Sequence, residues 1–357
     1  MRRLLPAVLT VALAAMLSQN AASAVPPRTM AATEAQPASL AIPATERRTG
    51  DQTFLTFPEW FLVFSPDEYA DMLAAGQAPC RFPYFAHIAQ FWHAYGRVND
   101  AVRGRWAFNG EYHTMIVVIG ASTTVEYAIK GAYETLIGRL GELGAPPLST
   151  PEDRLAAQEA RDYVDFIRVR PWYEFDFIAP LKALWKAPAT GPHLVRKWER
   201  RYLLTSEWLI KAGYAALIEK ATHSAFEVAK PTTSTLVAHL PTNAPQPLRA
   251  VRLVARSGDT ARVEMPRYQA FTPAATALAR AGGSFVEIAG NRGDVLVTVV
   301  MPETSAAPNG TRLLFRQPIL TRPGYERRAL VTRVHDLARL LVARNAAGDD
   351  VEHVFDF

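Results

Sequence analysis

The chain has 357 residues, of which 49% are hydrophobic and 20% charged, and it carries a formal net charge of +5. This composition supports folded cores and excludes a chain that is disordered throughout. The single cysteine excludes an internal disulfide, and the weak positive charge without a dense basic stripe argues against nucleic-acid binding. At about 100–200 residues per domain, the length predicts two domains.

The first 24 residues have the pattern of an export signal. Arg2 and Arg3 precede an apolar run over 4–17, and small residues lead up to Ala24. The pattern predicts a signal peptide over 1–24, cleaved after Ala24, and therefore an exported protein in the periplasm or outside the cell. The following range, 25–51, is rich in proline and alanine and predicts a flexible tether.

The range 52–229 is typical of a mainly α-helical domain rich in aromatic residues. Ser65 and Thr150 each precede a proline and an acidic residue, which predicts that a helix begins at each of them. Apolar residues at helical spacing predict further helices over 84–103, 112–143 and 193–226. Between them, 167–177 alternates and predicts a short extended hairpin or an ordered loop.

The remainder of the chain has a different pattern. Four prolines with several threonines predict a linker over 230–248. The range 249–357 predicts the order β-α-β-β-β-α-β, with helices over 271–281 and 327–345 on one face of a mixed or mainly antiparallel sheet. No internal repeat is visible. The predicted fold class is therefore α+β, with an N-terminal mainly α-helical domain followed by a small α+β sandwich.

Sequence motifs assign no catalytic residue. The chain has no GxSxG, SxxK, P-loop, GxGxxG, CxxC or HExxH pattern. We therefore expect no metal ligands and no cofactor. Cys80 is expected to be a buried and unreactive thiol, since free cysteine is among the most buried residue types.

Tryptophan is confined to the predicted helical domain, where all seven lie between Trp60 and Trp208. Aromatic faces beside carboxylates can bind sugars or cations, so the candidate ligand-binding residues here are Trp60, Trp172, Glu174 and Asp176. The alternative is that these aromatic side chains fill a helical core.

Glu126 and Lys130 are the other candidate ligand-binding residues, because Glu126 interrupts the apolar range 115–129. Their spacing is typical of a surface ion pair, and the alternative is a buried carboxylate with a raised pKa. The same range is shorter than the ~20 apolar residues that a membrane span needs, which leaves peripheral membrane contact as the remaining lipid interaction.

These observations favour a non-catalytic protein of the cell envelope that binds an unknown ligand or protein partner. One alternative is a carboxylate-dependent hydrolase, which requires convergence in one pocket of at least two acids among Glu59, Glu126, Glu174, Asp176 and Glu207. A second alternative is a membrane-attached structural envelope protein.

Overall fold

The computed structural model describes residues 38–143, 146–222, 231–240, 248 and 250–355. A group of helices is followed by two antiparallel sheets, which confirms the predicted α+β class. The helices are α1 (Gln52–Leu55), α2 (Phe57–Ala74), α3 (Tyr84–Val102), α4 (Gly110–Tyr133), α5 (Pro151–Ile167), α6 (Ile178–Lys186), α7 (Leu194–Thr222), α8 (Phe271–Arg280) and α9 (Leu337–Ala346). The strands are β1 (Thr232–Ala238), β2 (Arg252–Ser257), β3 (Thr260–Pro266), β4 (Ser284–Ile288), β5 (Asp294–Pro302), β6 (Arg312–Pro318), β7 (Tyr325–Arg333) and β8 (Asp350–Val354).

The predicted signal peptide and residues 25–37 of the predicted tether lie outside the described residues. The rest of the predicted tether, 38–51, differs from the expectation because it packs against the first sheet. Leu40 and Ile42 are 2% exposed and form a small core with Leu236 of β1. This segment therefore covers part of one sheet face.

Helix α2 begins earlier than the sequence predicts. Ser65 and Pro66 lie inside α2, and the Ser65 hydroxyl bonds to His87 and Tyr127 instead of capping a helix. Burial of Phe57 and Phe61 extends the helix toward its N-terminus, because packing outweighs the local cost of an internal proline. By contrast, Thr150 forms the predicted capping box with Asp153 at the start of α5.

Residues 167–177 form an ordered loop, and the extended hairpin is wrong. The loop contains a single 3₁₀ turn, Trp172–Glu174, and its Phe175 and Phe177 pack against the core formed by α5, α6 and α7. The alternation of aromatic and acidic residues in this loop reflects one buried side and one exposed side, without a strand partner.

Two strands lie where the sequence predicts other structure. Strand β1 occupies part of the predicted linker, and β7 occupies the start of the predicted helix over 327–345. Arg327 and Arg328 in β7 are almost fully buried and bind acidic side chains, so their charge does not mark a solvent-facing helix.

The sheet region is a tandem repeat that is not visible in the sequence. Each half has the order β-β-β-α-β, and the two sheets have the strand orders β2-β3-β1-β4 and β6-β7-β5-β8. The two orders become identical when each strand number of the first half is raised by four. Each half also places a 3₁₀ turn and a ten-residue helix before its last strand.

The strand registers of the two halves agree residue by residue. One row of paired residues crosses the first sheet at Leu253, Val263, Thr235 and Ile288, and the equivalent row crosses the second at Leu313, Leu330, Val297 and Val354. A bulge follows Leu253 in β2 and Leu313 in β6. The two halves therefore share one topology and one register.

The helical and sheet parts share hydrophobic cores. Inner faces of both sheets, together with α8 and α9, enclose one core. The outer face of the second sheet packs against Phe54, Phe57 and other residues of α1, α2 and α3. Between these layers, the Thr53 hydroxyl donates to the Phe355 carbonyl (2.8 Å) and accepts from the Leu296 amide (3.0 Å). Helices α1, α2 and α3 thus pack on the outer face of the second sheet.

Candidate functional site: the apolar face of two antiparallel helices

Helices α4 and α7 run antiparallel and are bridged by long side chains. Three polar contacts join them in reverse order along the chain: Glu126 to Lys211 (3.0 Å), Lys130 to Glu207 (3.0 Å) and Tyr133 to Glu199 (2.9 Å). Glu134, in the π-helical turn that follows α4, adds a fourth contact to Arg200 (2.7 Å). We call this row of contacts the seam. The seam links the two helices along their length. Each helix has one side buried in the protein interior and one side exposed to solvent.

The inner sides of these helices are buried on the same side of the seam. Tyr127 and Gly131 of α4 and Leu204 and Trp208 of α7 all lie in the protein interior. Since both helices turn one side inward next to the same seam, their opposite sides face solvent in the same direction.

The solvent-facing sides carry large apolar residues along both helices. Most of these residues are more than half exposed, including Ile129 at 66% and Ile210 at 72%. The residues that we call the apolar face are Val125, Ile129, Leu136, Leu140 and Leu143 from α4 and its continuation, and Val195, Trp198, Tyr202, Leu209, Ile210 and Leu217 from α7. Scattered exposed apolar residues are normal in proteins, but a concentration of them on one side of two neighbouring helices is typical of an interaction surface.

Charges in the middle of the seam are paired across the two helices. Burial opposes ionisation of Glu207, but the ammonium groups of Lys130 and Lys211 outweigh burial and hold the pKa of this carboxyl well below its usual range. Burial also opposes the charge of Lys211, yet Glu126 and Glu207 raise its pKa well above the usual range. Both ammonium groups therefore face carboxylates across the seam, and burial raises the pKa of the nearby Glu159 of α5 to about 7.

A second ionic network continues the seam into the protein. Helix α7 contributes four almost fully buried cations, which bind acids from α5, α7 and the π-helical turn that follows α4. The cations are Arg196, Lys197, Arg200 and Arg201, and the acids are Glu134, Glu152, Asp153 and Glu199. Each buried charge has a partner, as a low-dielectric interior requires.

The structure brings together only part of the predicted site set. Glu126 and Lys130 both lie in the seam, but each binds a residue of α7, so the predicted ion pair between them is replaced by pairs across helices. Glu126 is half exposed, which excludes the alternative of a buried carboxylate. The sequence pointed to Glu207 only as an acid of the hydrolase alternative, and Lys211 was not among the predicted site residues, although their spacing of four residues in a helix is itself an ion-pair signal.

The remaining predicted site residues lie elsewhere. Trp60 stacks on His353, with ring centroids 3.6 Å apart, where α2 meets the second sheet. Trp172 stacks on Tyr214, Glu174 binds Arg170, and the Asp176 carboxylate accepts from the first amides of α6. These contacts account for each residue as part of the packing or of a local cap.

The acids required by the hydrolase alternative do not meet in a groove. Two grooves of about 670 and 190 Å³ lie beside α9, and none of the five acids lines either of them. Glu126 and Glu207 do converge, but on Lys211. The ammonium groups of Lys130 and Lys211 outweigh burial and hold the pKa of Glu207 well below its usual range, which leaves Glu207 without a proton to donate.

Ser65, His87 and Glu68 form a group that resembles a nucleophile, a base and an acid. The Ser65 hydroxyl lies 2.9 Å from Nδ1 of His87, and Nε2 of His87 lies 3.6 Å from Glu68. Ser65 and His87 are at most 1% exposed, so a substrate does not reach them in this conformation. Burial lowers the pKa of His87 to about 3, and the group is a polar network inside the helical part.

Among the described residues, no group of three or more His, Cys, Asp or Glu side chains is placed to hold a metal ion. Comparison of the chain with protein-family models, with curated proteins and with solved structures gave no match.

Proposed function

We propose that this chain is an exported, non-catalytic protein of the cell envelope whose helical part binds an apolar partner through the apolar face. The observation that carries the proposal is the apolar face itself, which extends along both helices without a covering element among the described residues. Leaving such residues in water is costly, at about 25 cal/mol for each Å² of apolar surface, and a partner that covers them removes this cost.

Two further features support a binding role over a catalytic one. The cations Lys130 and Lys211 are paired with Glu207 and Glu126 across the two helices, which stabilises the helix pair. The export pattern of the first 24 residues supports a partner in the envelope.

The proposal is tested by fractionating the native host's envelope after expression of the full chain. We expect the wild-type protein to sediment with envelope material, and an Ile129→Asn/Ile210→Asn variant to remain in the soluble fraction. Leu253→Asn, at an exposed position of β2, is the matched control and should behave as wild type. If the double variant sediments with envelope material as much as the Leu253→Asn control does, the apolar face is not the binding surface.

A further inference from the structure

We infer that the partner of the apolar face is a lipid bilayer, on which α4 and α7 lie parallel to the membrane plane. This inference rests on the proposed function and names the partner of the same surface. Four observations support a bilayer: the composition of α4, the one-sided burial of both helices, the pairing of charges in the seam, and the residues at the rim of the face.

Helix α4 and its continuation have the composition of a membrane helix. The stretch Gly110–Gly141 is long and apolar enough to cross a bilayer, yet only 17% of its apolar window is buried. A core helix of a soluble protein with this composition would bury most of these residues. Here the apolar composition faces outward, which is the arrangement that lipid contact favours.

The burial of α4 and α7 on one side only indicates how these helices lie relative to the bilayer. The inner sides of α4 and α7 pack against the protein, and only the outer sides are apolar and exposed. A helix that crosses a bilayer as a separate span contacts lipid all around, whereas a helix in the interface contacts it on one side. The length of α7, 29 residues or roughly 43 Å, then lies along the surface.

Charges in the seam fit contact with lipid because they are already paired. Lys130 and Lys211 share Glu207, and Lys211 also binds Glu126, so each cation of the seam has a carboxylate partner. Ionisable groups near hydrocarbon are tolerated when they pair with one another.

The rim near the start of α7 has the residues that favour a membrane interface. Trp185 and Trp198 pack edge to face, with ring centroids 6.4 Å apart, and both are about half exposed. Lys182 and Lys186 are exposed on the same helix as Trp185. Tryptophan prefers the headgroup level, and lysine beside it is attracted to anionic headgroups.

The test is flotation of the full mature chain with vesicles of phosphatidylethanolamine and phosphatidylglycerol. Wild type should float with the vesicles. Ile129→Asn and Ile210→Asn should each lower the partition coefficient about tenfold, because each removes one large apolar side chain from the bilayer contact. The double variant should not float, and the control Leu253→Asn should float as wild type does.

A second measurement uses the wild-type chain alone, so that misfolding of a variant cannot produce the result. Vesicles with brominated acyl chains should quench tryptophan fluorescence, since Trp198 lies on the apolar face. Absence of both flotation and quenching would overturn the bilayer as partner.

The failure of this inference can be separated from that of the proposed function by the oligomeric state. If wild type does not float but forms a dimer in light scattering that the double variant disperses, the partner is a second copy and the bilayer is wrong. If it neither floats, nor self-associates, nor sediments with native envelope, the apolar face binds nothing and both proposals fail.

Discussion

Replacement of Arg327 by methionine tests how tightly the helices are joined to the second sheet. The Arg327 guanidinium in β7 donates to Glu352 of β8 at 2.6 and 2.7 Å and to Glu68 of α2 at 3.1 Å, and its side chain is 2% exposed. Arg327→Met keeps most of the apolar stem but leaves two carboxylates without their shared cation. Removing one partner of a buried ionic group costs about 3–5 kcal/mol, so we expect a loss of that size in the free energy of unfolding at pH 8.

The same variant should be less destabilised at pH 5. Burial raises the pKa of Glu68 to about 7 even with Arg327 present, and burial also raises the pKa of Glu352. Without the guanidinium both pKa values rise further above those of the unfolded chain. A raised folded-state pKa gives stability that is present at low pH and lost as the pH rises, so the cost of the substitution should shrink at pH 5 by about 1 kcal/mol or more.

Urea unfolding of both proteins at the two pH values measures these changes. The control is Arg316→Met. Arg316 is half exposed, and its contact with Glu326 is long, at 3.7 Å. An exposed ion pair of this kind contributes between about 0 and 1 kcal/mol to the free energy of unfolding. The reasoning is refuted if Arg327→Met costs no more than the control, or if its cost is the same at pH 5 and pH 8.

Three further predictions concern single residues. Burial raises the pKa of Glu59 to about 7, so the free energy of unfolding of wild type should fall as the pH rises from 4.5 to 7. The Glu59→Gln variant should show a smaller fall, and equal falls in urea unfolding would contradict this. A methyl group on Gly138 would collide with the Glu134 carboxylate, so Gly138→Ala should destabilise by about 1 kcal/mol or more. Gly213→Ala, where a methyl group meets nothing, should instead stabilise by about 0.5–1 kcal/mol, and thermal melts that do not separate the two variants would contradict the geometry. Burial and the neighbouring Glu142 raise the pKa of the Cys80 thiol to about 11. A thiol reagent at pH 8 should therefore label Cys80 only as the protein unfolds. Labelling within the mixing time would show that the thiol is accessible in the folded protein and would contradict this.

The sequence predicted those features that neighbouring residues determine. Thr150 caps α5 because its partner, Asp153, is three residues away, and the helices Tyr84–Val102 and Leu194–Thr222 follow from apolar spacing within one segment. Residues 223–226 of the predicted last helix lie outside the described residues. Strand β7 was missed because the acids that allow Arg327 and Arg328 to be buried are Glu68, Glu352 and Glu326, and the first of these is far away in the chain.

The role of α4 depends on partners that one segment does not reveal. A charged row beside an apolar stripe ordinarily indicates that the charges face water and the stripe faces the core. In this protein α7 supplies Lys211 and Glu207 to the charged row, and the stripe from Val125 to Leu143 remains exposed. The tandem repeat was hidden for a related reason, since matching strand registers constrain which residues pair and leave most side chains free to differ.

The most direct test of the central claim is the accessibility of position 129 in a Cys80→Ser background. An Ile129→Cys thiol should react freely with a membrane-impermeant maleimide in solution, because Ile129 is exposed. Addition of native envelope membranes should slow this reaction at least tenfold and leave a Val342→Cys thiol on α9 unaffected, since burial of one such side chain favours the bound state by about 1.4 kcal/mol or more. Equal reaction rates at position 129 with and without membranes would contradict the account.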